Sequence, residues 1–337
     1  MIVNAQRAMA LATELLHASG VPEKPALRTA RCIVTSDVWG NPSHGLMRLP
    51  FYLQRISMGG VNAGASLRIL SQRGGVTGID GEDGLGHWQL WDAAELATTK
   101  AKEFGISLVS VKNSSHCGAL GVYLYPGTDS GQISLIFTNG PAVMPATGGH
   151  APLLSTSPIA AGIPGKPPII IDLSTSAVAR GKIASAAKNG ESIPEGWAVN
   201  NQGEPITDAK EALKGMLAPL GGAKGFALGL MVEALSAGVS GGALSTQVPD
   251  MFNPNDDSKP QGISHTVIAI DPSDVGDSAS YDDFSLIAKQ VRESGGRVPG
   301  AKRIHPSRID EHEINLADAV VKDLLSWSEK LGVGALA

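Results

Sequence analysis

A chain of 337 residues with a formal net charge of -5, 42% apolar and 18% charged, reads as a globular protein with material for a sizeable core. It lacks any basic run, which argues against nucleic acid as a partner, because phosphate contacts need clustered Lys and Arg. Two cysteines, Cys32 and Cys117, exclude a disulfide framework and a paired-cysteine zinc site; with no signal-like start and no membrane-length apolar run, the expectation is a cytoplasmic protein without a membrane partner that handles a small molecule.

Asn4 is placed to cap a helix running to about Ser19, where Leu11, Leu15 and Leu16 form an apolar stripe and Gly20 ends it. A second helix is predicted from about Pro22 to Trp39, with Ile33, Val34 and Val38 facing inward, until Gly40, Asn41 and Pro42 break it. Pro50 suits the start of a third helix through Ile56, closed by Gly59 and Gly60. Strands are expected at 66–71 and 76–79, a helix at 87–104, then strands at 106–111, 133–137, 159–163 and 169–171. Helices follow at 177–187 and 225–239, and a strand at 266–270. The polar stretch 248–262, with Asn253, Pro254, Asn255, Asp256 and Asp257, reads as a surface loop, and Asn315 with Asp318 is expected to cap a last helix through Trp327. Residues 1–70 and 301–337 then make a helical domain, and 71–300 an α/β domain.

Several stretches carry chemistry. In Ser43-His-Gly-Leu-Met-Arg48, a helical turn would send His44 and Arg48 off one face, joining a proton-exchanging imidazole to a guanidinium fork that grips carboxylates. The plainer reading is a solvated arginine and a capping histidine. Asn113-Ser-Ser-His-Cys-Gly118 follows a strand, where His116 would meet a reacting carbon or cofactor phosphates and Ser114 and Ser115 would donate hydrogen bonds; otherwise His116 is a loop residue beside a buried cysteine. Asp172-Leu-Ser-Thr-Ser176 closes a strand and suits ribose hydroxyls and phosphate, or else simply caps the next helix. Gly221-Gly-Ala-Lys-Gly225 offers amides and Lys224 to an anion but lacks the final hydroxyl of a Walker loop. Gly81, Gly84 and Gly86 run in the reverse order of a dinucleotide fingerprint, so no Rossmann motif is present. Gly238-Val-Ser-Gly-Gly242 follows a helix rather than a strand, against a serine-hydrolase elbow. His305, His312 and Glu313 lack a metal-binding spacing and read as solvated.

Taken together and in this order, the 43–48, 113–118 and 172–176 stretches, Thr138-Asn139, Val178-Ala-Arg-Gly-Lys182, Ile193-Pro-Glu-Gly-Trp197 and Gly222-Ala-Lys-Gly225 resemble the malate/L-lactate dehydrogenase family of nicotinamide oxidoreductases, over nearly the whole chain. The resemblance implies a fold of α/β (α+β) type: a non-Rossmann nicotinamide-binding domain with a largely antiparallel sheet, plus a helical domain built from both chain ends. It implies a homodimer whose partner helps close the site, NAD or NADP as cofactor and a small carboxylate as substrate; the sequence itself shows no metal-ligand set. It places His44 and His116 on catalytic positions, Arg48 on the substrate carboxylate and Thr156 beside the substrate. Lys112, Asn113, Ser114, Ser115, His116, Asn139, Asp172, Leu173, Ser174, Lys224, Gly225, Gly300, Lys302 and Arg303 fall on cofactor-contacting segments. Proton exchange through His44 implies a pKa near working pH. One departure stands out: in Ser155-Thr-Ser-Pro158, Ser157 replaces the asparagine that the family pattern leads one to expect.

Overall fold

The computed structural model describes residues 1–251, 253–274 and 280–334, which leaves Phe252 of the predicted 248–262 loop outside. Asn4 caps helix α1 (Ala5–Ala18) as expected, its Oδ1 accepting from the amides of Gln6 at 3.0 Å and Arg7 at 3.3 Å. Against α1 lies α2 (Glu23–Val38), and Leu15, Leu16, Ile33 and Val34 meet fully buried. Helix α3 (Leu49–Ser57), with Pro50 in its first turn, adds Leu49, Tyr52 and Leu53 to the same core. Each such side chain contributes about 1.5–3 kcal/mol on leaving water.

The far end of the chain completes this layer. Ile2–Asn4 pairs antiparallel with Glu313–Asn315, setting Val3 against Ile314, and the last helix, Asp318–Leu331, buries Leu324 in the same cluster. Asn315 therefore does not cap that helix. Strand pairing has taken it up opposite Ile2, and the cap position falls to Ala317, which makes no side-chain bond.

Strands β1 (Arg68–Arg73), β2 (Val76–Asp80), β3 (Ile106–Ser114), β4 (Ile133–Thr138), β5 (Ile159–Ile163), β6 (Ile169–Leu173) and β7 (Ile263–Ile270) form a seven-stranded sheet in the order β1-β2-β3-β7-β4-β5-β6. Among the described residues only β2 and β3 run parallel, joined by the crossover helix α4 (Gly86–Phe104), so the sheet is largely antiparallel as the resemblance implied. Central β7 sets His265 opposite both Val111 of β3 and Thr138 of β4. No described helix is long and apolar enough to cross a membrane.

Elsewhere the predicted elements shift. The expected 177–187 helix is α5 (Arg180–Asn189), and the expected 225–239 helix is α6 (Ala223–Glu233) followed by a π-turn over Ala234–Gly238. A small sheet of two-residue strands (Ala198–Val199, Pro205–Ile206, Met216–Leu217) and the helix Ser280–Glu293 are additions; strands so short carry no readable alternation.

The 248–262 stretch is the expected surface loop, with Pro254, Asn255, Ser258 and Lys259 exposed, and Arg55 of α3, 1% exposed, anchors it from below. Its guanidinium donates to the carbonyls of Asp256 at 3.1 Å and Lys259 and lies 3.8 Å from the Asp257 carboxylate. Gly60 makes that approach possible, since a Cβ there would stand 2.0 Å from the Asp257 carbonyl oxygen. Arg55→Met is expected to strand these buried groups and lower the unfolding free energy by roughly 3–5 kcal/mol in denaturant titration; a change under about 1 kcal/mol would show the anchor to be dispensable.

Candidate active site

The turn carrying His44 is two short 3₁₀ turns, Pro42–His44 and Leu46–Arg48, parted by Gly45 in extended conformation, rather than one helical turn. The Asp37 carboxylate, at the end of α2, accepts from the Leu46 amide at 2.7 Å, and a Cβ on Gly45 would stand 2.1 Å from Asp37 Oδ1. That close approach, not helical periodicity, is what sends His44 and Arg48 to one cavity. Arg48 Nε donates to the Ser43 carbonyl at 2.9 Å, and His44 Nδ1 lies 3.0 Å from Ser43 Oγ.

His116 reaches the same cavity from the loop after β3. Its amide donates to Gln261 Oε1 at 3.0 Å, its Nδ1 lies 2.7 Å from the Tyr52 hydroxyl, and its ring stacks on that of His44 with centroids 5.9 Å apart. Beneath it are two buried histidines. His265 bonds Thr138 Oγ1 at 2.7 Å and Ser114 Oγ at 3.1 Å, whereas both ring nitrogens of His87 lack hydrogen-bond partners among the described residues. Gly86 lets α4 start against this loop, because a Cβ there would sit 2.0 Å from the Ser115 carbonyl oxygen.

The cavity, about 350 Å³, is lined by His44, Arg48 and His116 on one side. Asn139, Thr156, Asp172, Leu173, Ser174 and Arg303 line it as well. Asp172 accepts from the Gly121 amide at 2.9 Å, with Arg303 Nη2 3.9 Å away; Arg303 lies over the Trp39 ring, and its buried Nη1 has no hydrogen-bond partner among the described residues. The Asn139 side chain braces the wall, accepting from the Ser264 amide at 2.9 Å and donating to the Ala243 carbonyl at 2.8 Å.

Other expected residues stand off the cavity. Asn113 donates to Asp80, Ser114 to Gln89, and Ser115 accepts from the Gly86 amide. Lys112 is half-buried beside Gly242, Lys224 and Lys302 are exposed, Gly225 packs on Leu220, and Gly300 packs on Ile170 of β6. Ser157 is turned away and fully buried, closed on Ser155 Oγ by its own amide at 2.9 Å. Its φ of 39° lies in the left-handed region that asparagine tolerates better than serine, which gives a backbone reason for an asparagine there. His305 is not simply solvated: Nε2 bonds Asp129 at 2.9 Å and the ring meets Tyr125 edge-on.

Sequence reasoning passed over Arg180, which lines the cavity while donating to the Leu213 carbonyl at 3.1 Å, although it sits inside the Val178-Ala-Arg-Gly-Lys182 motif. It also passed over Tyr52 and Gln261, both of which hold His116. Tyr52, four residues beyond Arg48 on an apolar helix, gave a usable signal; Gln261 in a polar loop gave none. Three guanidiniums (Arg48, Arg180, Arg303) against one carboxylate (Asp172) mark the cavity as an anion site.

Burial, reinforced by the Arg48 charge, pushes His44 down to about 4, and burial pushes His116 well below the ordinary imidazole value, so both are neutral at pH 7. A resting pKa near working pH is therefore not what the fold provides for His44.

The family model described as malate/L-lactate dehydrogenase matches residues 3–325. A (2R)-3-sulfolactate dehydrogenase (NADP(+)) of Chromohalobacter salexigens is 36% identical over 97% of this chain and 98% of its own length. Among solved structures, the sulfolactate dehydrogenase from Methanocaldococcus jannaschii superposes with a TM-score of 0.89 at 31% identity, covering 99% of this chain and 98% of its own. The delta1-piperideine-2-carboxylate reductase from Pseudomonas syringae gives 0.88 at 28% identity, covering 97% and 99%.

The histidine cluster sets a pH dependence. His44 at about 4, His87 at about 3, His265 at about 4 and His116 well below its ordinary value stay unprotonated in the fold where the unfolded chain binds protons near 6.5. Across that window the unfolded state holds more protons, so stability rises with pH from about 4 to 6.5; Asp37, raised by burial to about 7, opposes with one proton. Denaturant titrations across this range are expected to show that rise, and a flat or falling profile would mean that the imidazoles charge within the fold.

Proposed function

Given that the chain belongs to the malate/L-lactate dehydrogenase family, we propose that it moves hydride reversibly between NAD(P) and C2 of a small 2-hydroxy or 2-oxo carboxylic acid. One observation carries the reading: His44, His116 and Arg48 converge on one anion-favouring cavity. Arg48 fixes the carboxylate, and His44 exchanges the C2 hydroxyl proton. Burial is the larger cause of the low His44 value, and a carboxylate on Arg48 offsets the charge that adds to it. Thr156 faces the substrate across the cavity.

The nicotinamide cofactor, when bound, supplies the hydride chemistry, and the protein supplies position and charge. Residues present suit it. Asp172 and Ser174 offer partners to ribose hydroxyls, and Nη1 of Arg303, which has no hydrogen-bond partner among the described residues, suits an acceptor such as a phosphate oxygen. We assign Lys112 to Ser115, Asn139, Leu173, Lys224, Gly225, Gly300 and Lys302 to the surroundings of the same cofactor.

We further assign the exposed apolar face of α6 to a second copy of this chain. Leu228, Leu230 and Met231 are 40%, 50% and 42% exposed with few charges among them, and Leu173, itself 42% exposed, adjoins the cavity, so a homodimer would bring the interface near the site. A cytoplasmic setting accords with two buried, unpaired cysteines.

A second reading, reduction of a cyclic imine with the proton going to nitrogen, is supported by the likeness to the piperideine-2-carboxylate reductase.

Oxidation of NADH and NADPH, followed by absorbance across pyruvate, oxaloacetate, 3-sulfopyruvate and piperideine-2-carboxylate, separates the readings. Turnover on an open-chain 2-oxo acid is expected; turnover on the imine alone selects the second reading, and silence throughout removes both. His44→Ala should cost about 10²-fold or more in turnover with nicotinamide binding, read by fluorescence, preserved. For the interface, Leu230→Glu with Met231→Glu should convert a dimer to a monomer in light scattering, and an unchanged mass for the variant would place the interface elsewhere.

A further inference from the structure

The two cavity histidines have opposite commitments behind them. Tyr52 is 1% exposed, and among the described residues its hydroxyl has one hydrogen-bond partner, His116 Nδ1 at 2.7 Å. Burial holds the phenol well above its ordinary range, so it keeps its proton. A buried hydroxyl proton with one acceptor in reach goes to that acceptor, because leaving it unpaired costs about 1–3 kcal/mol. Tyr52 therefore donates and His116 Nδ1 accepts. A neutral imidazole that accepts at Nδ1 carries its proton on Nε2.

On His44 the logic inverts. Ser43 Oγ donates to Asn41 Oδ1 at 2.9 Å, which leaves Ser43 Oγ as an acceptor for His44 Nδ1 at 3.0 Å, with Asn41 Oδ1 a second acceptor at 3.4 Å. His44 thus carries its proton on Nδ1 and keeps a lone pair on Nε2.

We propose that Tyr52 is a positioning residue that locks His116 in its Nε2–H form, making His116 a fixed hydrogen-bond donor to the substrate oxygen while His44 alone exchanges the proton. The catalytic part rests on the hydride-transfer reading. In the oxidation direction the C2 hydroxyl proton passes to His44 Nε2, giving an imidazolium that releases it to solvent. The C2 hydrogen leaves with its electron pair to the oxidised cofactor, and the oxygen, now a carbonyl, accepts from His116 Nε2–H, whose proton stays in place throughout. Two lone pairs aimed at that oxygen would repel it; one donor and one acceptor complement a hydroxyl.

The test is a long-range proton–nitrogen NMR spectrum of the full-length enzyme labelled with ¹⁵N-histidine, with peaks assigned through His116→Gln and His44→Gln. His116 is expected as the Nε2–H tautomer and His44 as Nδ1–H. Tyr52→Phe should move the His116 nitrogen shifts toward a tautomer mixture and lower kcat about 10²-fold, with KM for the nicotinamide unchanged. An Nδ1–H signal for His116 in the wild type, or a Tyr52→Phe variant with the same tautomer and the same kcat, overturns the proposal. The expected spectrum from an enzyme that turns over no 2-oxo acid or imine would overturn the hydride-transfer reading and uphold the tautomer lock.

Discussion

The burial of one nine-residue helix, α3, holds the molecule and its site together. Leu49 and Leu53 sink into the core shared by the two chain ends. From the same helix Tyr52 reaches His116, Arg55 reaches the carbonyls of the 256–259 segment, and Arg48, at its N-cap, lines the cavity. Just beyond that segment the chain returns to the site, where Gln261 accepts from the His116 amide. Hydrophobic packing, which has no direction of its own, is in this way converted into the placement of three polar groups.

Electrostatics complete what packing begins. Imidazoles this deep remain neutral, so the positive charge in the cavity comes from the guanidiniums of Arg48, Arg180 and Arg303. A neutral imidazole is directional, a donor at one nitrogen and an acceptor at the other, and the groups behind each ring bear on whether its inward nitrogen donates or accepts. His44 and His116, chemically identical, are given unlike partners, Ser43 in one case and Tyr52 in the other.

Much of this was legible in the amino-acid order. Asn4, Pro50 and Gly20 marked helix ends through local capping and turn chemistry, and local chemistry survives folding. The sequence motifs brought His44, Arg48 and His116 to notice, but the reason for their meeting lay elsewhere: Asp37 folds under Gly45 to shape two 3₁₀ turns, a contact that helical spacing does not foreshadow. Gln261 was out of reach because its partner lies 145 positions away along the chain. Asn315 misled for a related reason, since its role is set by a strand at the opposite end of the chain. Arg55 shows the limit from the other side. A charged residue on a short helix reads as solvated until a distant loop supplies the carbonyls that let it be buried.

The pairing of Ile2–Asn4 with Glu313–Asn315 has a consequence in time. The Asn4 side-chain amide donates to the carbonyl of Asp310, 306 positions onward, so this strand waits for its partner until residues 313–315 have been synthesised. Closing so long a loop is entropically costly, and only contacts made afterwards repay it. During synthesis the seven-stranded sheet can assemble while the apolar faces of α1 and α2 still lack their last cover. The nascent chain thus passes through a stage with its sheet strands present and the apolar face of its helical layer still open.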